Sequence, residues 1–180
     1  MLTYSLKQFV AILAIATVAI IFRPVAPTDT AIAQSNEVPF GDQVGPPVTK
    51  YNRLRPNIAT AGPLKDGAIS ELKSLGFATI LDLRCSDEGS DVEKKSVEAA
   101  GLRYLNIPVT NIIPSDDQVT EFAYIVEDRR NFPLLVHCGS ANRVGAMWVL
   151  YLVQHRRVAI AFALEEGRTI GMPFCTAYVR

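Results

Sequence analysis

Short apolar runs alternate with helical patterns along most of the chain, from about residue 51 onward. Runs of apolar and β-branched residues predict buried strands, whereas apolar residues at helical spacing predict amphipathic helices. Strands that alternate with helices imply crossover connections, so we expect one α/β domain with a mainly parallel sheet and helices on both faces. The predicted strands are 58–60 (weak), 78–83, 104–109 and 133–136, and the predicted helices begin near Asp66, Asp91, Ser115, Val144 and Val158.

Local end signals support several of these helices. Asp66 is a candidate cap for the first helix, which Gly76 would end. Ser115 with Gln118 has the spacing of a capping box. Gly167 is predicted to stop the last helix.

The amino terminus has a different pattern, typical of an export signal. A short segment with Lys7 precedes fourteen uncharged residues (9–22), and Ala31-Ile32-Ala33 provides a small-x-small cleavage site. We therefore predict a signal peptide over 1–33 and an exported, periplasmic or secreted, protein. Two alternatives stay open, an uncleaved membrane anchor and a cytosolic core helix. Residues 34–50 are polar and rich in Pro and Gly, which predicts a flexible lead-in before a domain over 51–180.

Composition narrows the partners and cofactors. Eighteen basic residues balance eighteen acidic ones, and this neutrality argues against nucleic-acid or anionic-membrane binding, unless the leader is retained as an anchor. Three cysteines are too few for a disulfide scaffold, and two histidines form no clustered zinc pattern. We therefore predict no metal and no cofactor, and composition leaves the oligomeric state open.

The segment after the last predicted strand carries the chemistry. Cys138 leaves a buried strand, and Gly139, Ser140, Ala141 and Asn142 form a small-residue loop before Arg143 and a helix. Loop N–H groups and the helix N-terminus favour an anion, and they would stabilise the Cys138 thiolate. Arg143 presents a planar fork for two oxygens of a phosphate, and Asn142 suits a left-handed turn. We interpret Cys138 as a nucleophile within an anion site, rather than as an inert core cysteine.

This loop, Val-His-Cys-Gly-Ser-Ala-Asn-Arg-Val-Gly-Ala-Met-Trp (136–148), resembles the signature loop of bacterial phosphatase-like domains in the protein-tyrosine and dual-specificity phosphatase superfamily. The nearest resemblance is to the group associated with β-lactamase-type hydrolases. It extends to Asn-Ile-Ala-Thr-Ala-Gly (57–62), Leu-Lys-Ser-Leu-Gly-Phe-Ala-Thr-Ile-Leu-Asp-Leu-Arg (72–84) and Ala-Gly-Leu-Arg-Tyr-Leu-Asn-Ile-Pro-Val (100–109). The resemblance covers about 52–172. It implies a cysteine-phosphatase-like fold and metal-independent hydrolysis of a phosphomonoester, on a small molecule or a phosphoprotein, through a phosphocysteine at Cys138.

Three departures from the family pattern bear on this expectation. The loop has four residues between Cys138 and Arg143, where superfamily phosphatases usually have five. Four is also the spacing of rhodanese-like sulfurtransferases. Val144 stands where a Ser or Thr commonly assists the leaving thiolate, a role that Ser140 could take over. The loop 110–114 holds no general acid, and a position in the first turn of a helix is sufficient to explain Asp116 and Asp117, although a catalytic aspartate stays an alternative.

Cys85 supports a second hypothesis. The resemblance places it at a strand end beside the active loop, where oxidation in an export compartment could join it to Cys138 and block the site. A simple strand-end role is the alternative, and peptide mapping of non-reduced protein would separate the two. His137 is expected to orient the loop, without a metal-ligand or general-base role.

Three functions follow from the sequence. The first is cysteine-dependent phosphate-ester hydrolysis at Cys138 and Arg143, with Asp116 as the candidate acid. The second is sulfur transfer at the same cysteine, although the segment 101–109 lacks the rhodanese-type His-Ile-Pro-Gly-Ala turn. The third is non-catalytic binding of phosphate, which the missing acid and Val144 would permit.

Overall fold

The fold is built on a mostly parallel five-stranded sheet, seen in a computed structural model that describes residues 36–110 and 113–172. The spatial order of the strands is β1-β2-β5-β3-β4. Strand β1 is antiparallel to β2, and the remaining neighbours are parallel. The strands are β1 (Asn52–Arg55), β2 (Ile58–Ala61), β3 (Thr79–Asp82), β4 (Arg103–Asn106) and β5 (Leu134–His137). This confirms the predicted α/β fold class.

Among the described residues, five α-helices connect and cover the strands. They are α1 (Ala68–Ser74), α2 (Ser90–Ala99), α3 (Asp116–Glu127), α4 (Asn142–Gln154) and α5 (Ile160–Ile170). The signal-peptide prediction for 1–33 lies outside the described residues, as does Cys175. Within the described part of the chain, none of the helices combines the length and the apolar character that crossing a membrane requires.

Alternation along the strands divides the core between the two faces of the sheet, as the period of two in a strand requires. On β5, Leu134 and Val136 pack in one cluster with α3, α4 and α5, while Leu135 packs in the other with α1 and α2. The same alternation and the register between β3 and β5 make Asp82 and His137 neighbours on the α2 side. Helices therefore cover both faces, and two polar residues end the central strands on one of them.

The predicted flexible lead-in is instead packed against the domain. Val38 and Val48 are 2% and 4% exposed, within the core cluster on the α1–α2 side. Val48 forms a bridge with Leu64, and the backbone N–H of Gly62 donates to the carbonyl of Thr49. The two buried valines supply the apolar area that holds this Pro- and Gly-rich segment in place.

Two predicted helix ends are wrong. Helix α1 begins at Ala68 after Gly67, which has a φ of +88°, so Asp66 is not its cap. Helix α5 continues through Gly167 to Ile170 because this glycine serves helix packing. A Cβ at Gly167 would lie 2.5 Å from Cγ2 of Val149 on α4, so a side chain would push the two helices apart.

Candidate functional site

The Cys138 loop lies at the carboxyl end of the sheet, between β5 and α4, where ligands of open α/β sheets bind. Cys138 is fully buried, Gly139 is exposed, and Ser140 is half-buried. The left-handed residue is Ala141, with a φ of +70°, and Asn142 is already the first residue of α4. The prediction that Asn142 makes the left-handed turn is therefore wrong, because the chain turns one residue earlier.

Arg143 is held against the edge of the sheet by several acceptors. Its Nη1 donates to the carbonyls of Leu83 and Val109, at 3.3 and 3.1 Å, and to Oε2 of Glu88 at 2.6 Å. Its Nη2 donates to Oε1 of Glu88. The pKa of Arg143 is raised, first by the hydrogen bonds to Glu88 and to a smaller extent by the Cys138 side chain. The guanidinium is therefore fixed within reach of the cysteine.

This pattern leaves one edge of the guanidinium for an anion. Arginine has five N–H donors, and the contacts to Glu88 and the two carbonyls occupy the end and one side of the planar group. The Nε–H and the second Nη2–H form the opposite side, and a pair of this kind binds two oxygens of a phosphate. Arg143 is thus preorganised for bidentate binding.

Glu88 comes from a short 3-10 turn after β3, Ser86–Glu88. The backbone N–H of Cys85 donates to its Oε2 at 3.0 Å, which orients the carboxylate toward Arg143. The hydrogen bonds from Arg143 lower the pKa of Glu88 to about 2, outweighing the cost of partial burial. Glu88 is therefore an anion near neutral pH, and it balances the charge of Arg143.

Four ionisable side chains form a buried group behind the loop, the buried quartet of Asp82, Arg84, Glu93 and His137. Nη2 of Arg84 lies 2.8 Å from Oδ2 of Asp82 and 2.6 Å from Oε2 of Glu93. Nε2 of His137 lies 2.7 Å from Oε1 of Glu93 and 3.6 Å from Oδ1 of Asp82. His137, next to Cys138, thus lies close to two carboxylates, and its predicted role in orienting the loop through a ring N–H stays a prediction.

The electrostatics of the quartet follow from burial and pairing. Burial by itself would raise the pKa of Asp82, but the hydrogen bonds from Arg84 and the charge of His137 hold it below its usual value. Burial would likewise lower the pKa of Arg84, and its pairing with Asp82 and Glu93 raises it instead. Tyr104 adds a hydrogen bond of 3.0 Å to Oδ2 of Asp82. The pairing with Arg84 therefore keeps Asp82 ionised despite its burial.

Two groups in the described residues bring possible metal-ligand atoms within 4.8 Å of one another. The first is Asp82, Glu93 and His137, where the Arg84 guanidinium already engages both carboxylates. The second is Cys85, Asp87 and Glu88, where Arg143 engages Glu88. In each group a guanidinium supplies the positive charge that a cation would bring.

The structure does not bring Asp116 to Cys138. The Asp116 carboxylate accepts a hydrogen bond of 3.1 Å from Nε2 of Gln154. Gln154 is the last residue of α4, about 18 Å along the helix axis from its first residue, Asn142, which follows the loop. The predicted capping box is confirmed, because Gln118 and Ser115 exchange both hydrogen bonds at the start of α3. Asp116 thus occupies a helix N-terminus, as its alternative interpretation required.

Cys85 and Cys138 are both free thiols in the structure. Cys85 is half-buried, and its thiol interacts electrostatically with the charges of Glu88 and Arg143. Burial and the nearby carboxylates raise its pKa above the usual thiol value. The disulfide between the two cysteines stays a prediction.

Sequence reasoning missed Glu88, Glu93 and Lys50. Nζ of Lys50 donates to the carbonyl of Ser140 in the loop at 3.1 Å. The charged run at 84–93, directly after a buried strand, was the available signal for the two glutamates, because parallel strands end at the same edge of a sheet. Lys50 gave no such signal, since it lies 90 residues from Ser140 in the chain.

Comparisons with known proteins agree with this arrangement. A family model described as "DSP-PTPase phosphatase fused to NAD+ Kinase" matches residues 27–173. The probable NAD kinase 2, chloroplastic, of Oryza sativa subsp. japonica is 31% identical over 107 residues, which are 54% of this chain. The chain spans only 11% of the length of that relative.

Solved phosphatases share the fold. TpbA of P. aeruginosa in complex with pTyr is 20% identical, with a TM-score of 0.57 over 71% of this chain and 78% of that one. The core catalytic domain of the PP-IP phosphatase SIW14 from S. cerevisiae is 19% identical, with a TM-score of 0.60 over 74% and 82% of the two chains. At these identities the likeness concerns the fold.

The family match confirms the superfamily resemblance seen in the sequence. The subgroup is different: the matching family is associated with NAD+ kinase, whereas the sequence of the loop indicated the group associated with β-lactamase-type hydrolases. A match over 27–173 covers most of the chain, including the Cys138 loop, the Glu88–Arg143 pair and the buried quartet. The chain therefore belongs to the family described as DSP-PTPase phosphatase fused to NAD+ kinase, a family of domains of the protein-tyrosine and dual-specificity phosphatase type.

Proposed function

We propose that the domain hydrolyses a phosphomonoester through a cysteinyl-phosphate on Cys138, without a metal ion. The observation that carries this proposal is the geometry of Arg143. Four hydrogen bonds to Glu88, Leu83 and Val109 hold its guanidinium beside Cys138 and leave the Nε–Nη2 edge for the phosphoryl oxygens. Arg143 and the loop N–H groups supply the positive charge that stabilises the transition state.

The reaction proceeds in two displacements at phosphorus. In the first, the Cys138 thiolate attacks, an S–P bond forms, and the ester P–O bond breaks with departure of the leaving oxygen. In the second, water attacks phosphorus, the S–P bond breaks, and inorganic phosphate and the thiolate are released. The guanidinium edge of Arg143 binds the equatorial oxygens in both steps.

The leaving group sets the substrate preference. Among the described carboxylates near the loop, Glu88 has a pKa of about 2 and Asp82 a pKa below its usual range, so neither holds a proton at neutral pH. Without protonation by these groups, the leaving oxygen must stabilise its own charge. We therefore expect aryl and other activated esters to react faster than alkyl phosphates.

The full chain, kept reduced, should release phosphate from p-nitrophenyl phosphate with no added metal and in the presence of a chelator. Cys138→Ser should abolish this activity, whereas Cys85→Ser, the matched variant of the neighbouring free cysteine, should retain it. Trapping of the S–P intermediate by rapid acid quench, followed by mass spectrometry of the Cys138 peptide, would establish the covalent step. Equal activity of the Cys138→Ser variant would refute the proposal.

The two other functions have distinct readouts in the same assay. Cysteine-dependent formation of thiocyanate from thiosulfate and cyanide would instead favour sulfur transfer. Binding of orthophosphate without turnover of either substrate would favour a non-catalytic phosphate binder.

We propose a phosphorylated small molecule or phosphoprotein as the substrate, and a location outside the cytoplasm. The location rests on the leader pattern of 1–33. An intact mass that begins at Gln34 would support cleavage and export, and a secreted form that retains Met1 would contradict cleavage.

A further inference from the structure

Lys50 contacts the Cys138 loop from a distant part of the sequence. Among the described residues outside β5, the loop and α4, it is the one cationic side chain that hydrogen-bonds to the loop. Its Nζ lies 3.1 Å from the carbonyl oxygen of Ser140, across 90 residues of sequence. An ammonium has three N–H donors, and this contact uses one of them. Among residues 36–110 and 113–172, no carboxylate oxygen lies within 4.0 Å of Nζ of Lys50, the limiting distance for an ion pair. The ammonium is thus exposed, with donors left over, at the rim of an anion site.

The backbone around Lys50 holds the ammonium in this place. The residues before it are tied to the segment after β2: Val48 bridges Leu64, and the carbonyl of Thr49 accepts from the N–H of Gly62 at 2.8 Å. The hydroxyl of Thr49 donates to the carbonyl of Pro63 at 2.6 Å. These contacts anchor the segment against the sheet, so that the position of Lys50 is set by the fold rather than by its side chain alone.

The path of the Lys50 side chain is also built into the fold. In the parallel register, Ala61 of β2 is the partner of His137 of β5, so Gly62 follows β2 at the level where Cys138 follows β5. A Cβ at Gly62 would lie 3.4 Å from Cδ of Lys50, and the stem of the lysine therefore passes over this glycine toward the loop.

Lys50 itself has a φ of +51°, a left-handed conformation that costs free energy for a residue with a Cβ. Strain of this kind persists where the surroundings determine it, and it is concentrated at functional sites. Nothing in the core requires a lysine here, because its side chain is exposed.

We infer that Lys50 is a specificity-determining residue that binds a second anionic group of the substrate, beyond the phosphoryl group that the loop and Arg143 receive. The substrate class is then a phosphomonoester that carries a further phosphate or carboxylate, such as a bisphosphate. This inference rests on the proposed function, because it takes the Cys138 loop as the site of the first phosphoryl group. Charge balance supports it: Glu88 offsets Arg143, so Lys50 provides the uncompensated positive charge at the rim.

Calorimetry on the full chain with Cys138→Ser would test the inference, with orthophosphate, fructose 6-phosphate and fructose 1,6-bisphosphate as probes. We expect the bisphosphate to bind about tenfold more tightly than the monophosphate, beyond the small statistical advantage of its second phosphate. Adding Lys50→Met should remove this preference and leave orthophosphate affinity unchanged. The matched control is Lys73→Met, because Lys73 is also exposed and donates to a backbone carbonyl, but to that of Gly101 rather than to one in the loop.

Each contrary outcome has a separate meaning. If Lys50→Met weakens all three ligands equally, Lys50 only supports the loop through Ser140, and the specificity role is overturned. A preference that survives Lys50→Met, or that Lys73→Met removes as well, also overturns it. If none of the ligands binds to the Cys138→Ser chain, the anion site of the proposed function fails, and the inference fails with it.

Discussion

Two aspartate–arginine pairs in this domain have the same local geometry in different surroundings. In Asp82–Arg84 and in Asp128–Arg130, the aspartate Oδ1 accepts from the backbone N–H and from Nε of the arginine two residues later. In both, Nη2 of the arginine lies 2.8 Å from Oδ2. The local sequence is therefore sufficient to form the turn and the ion pair.

The surroundings decide what each pair does. Asp82 is fully buried, and its pair is extended by Glu93, His137 and Tyr104 behind the active loop. Arg130 is 83% exposed, and its pair ends at the protein surface. An exposed pair contributes little because water screens it, whereas removal of one partner from a buried group leaves the other charge without solvent.

A third pair, Glu88–Arg143, is intermediate in exposure. Its arginine keeps one edge free for the substrate, while the arginines of the other two pairs serve their own carboxylates. The comparison indicates a division of roles. The buried pair, Asp82–Arg84, stabilises the fold, the half-exposed pair, Glu88–Arg143, serves function, and the exposed pair, Asp128–Arg130, contributes little to either. The following substitutions test this division.

Arg143→Lys should have the largest effect. We expect kcat/KM for p-nitrophenyl phosphate to fall about 10³-fold, because lysine lacks the planar pair of donors and cannot replace a preorganised contact in the transition state. Unfolding in urea should change little by comparison. A loss of less than about tenfold would show that the free guanidinium edge is not the phosphoryl site.

Asp82→Asn should have the next largest effect, on stability. We expect the free energy of unfolding to fall by about 3 kcal/mol, because Arg84 loses one of the two carboxylates that balance its charge in the protein interior. Asp128→Asn is the matched control, since it removes the same charge and the same second acceptor oxygen from the exposed pair, and it should shift the urea midpoint far less. Equal shifts for the two variants would contradict the role assigned to burial.

Glu88→Gln should lower kcat/KM about tenfold, because the neutral amide orients Arg143 less firmly. Its effect on stability should depend on pH. The folded-state pKa of Glu88 is about 2, below the usual 4.5, so ionised Glu88 stabilises the fold fully above pH 4.5 and progressively less as the pH falls toward 2. The difference in unfolding free energy between wild type and Glu88→Gln should therefore shrink over that range.

Asp87→Asn provides the control for Glu88→Gln, because Asp87 is the exposed neighbouring carboxylate in the same turn. It should leave both kcat/KM and the acid dependence of stability close to those of the wild type. A similar loss in the two variants would indicate a general charge effect in place of orientation of Arg143.

Much of the fold could be predicted because local patterns and tertiary structure agree. The apolar run before Cys138 became the central strand β5, and the Ser115–Gln118 capping box began α3 as expected. Strand β1 was missed because Asn52–Arg55 is a polar, half-buried edge segment without an apolar run. Gly167 was misread because a local stop signal was outweighed by the close packing of α5 on α4.

The candidate site was predictable where its residues are consecutive and unpredictable where they are not. Cys138 and Arg143 share one loop and helix start, and their residue types indicate their chemistry. Glu88 contacts Arg143 from 55 residues away, and Lys50 reaches the loop from 90. Only the strand order brings these segments together, since β5 lies between β2 and β3.

Asp116→Asn should have the smallest effect and would separate a catalytic acid from a helix-end carboxylate. We expect the rates of alkyl and aryl phosphate hydrolysis to stay within about twofold of wild type, because Asp116 pairs with Gln154 toward the far end of α4. Asp117→Asn, its neighbour in the first turn of α3, is the matched control. A general acid would show a different pattern, with a loss for the alkyl ester, whose leaving group needs a proton, and little loss for p-nitrophenyl phosphate. That pattern in Asp116→Asn alone would restore Asp116 as the acid and would require α3 to approach the loop during turnover.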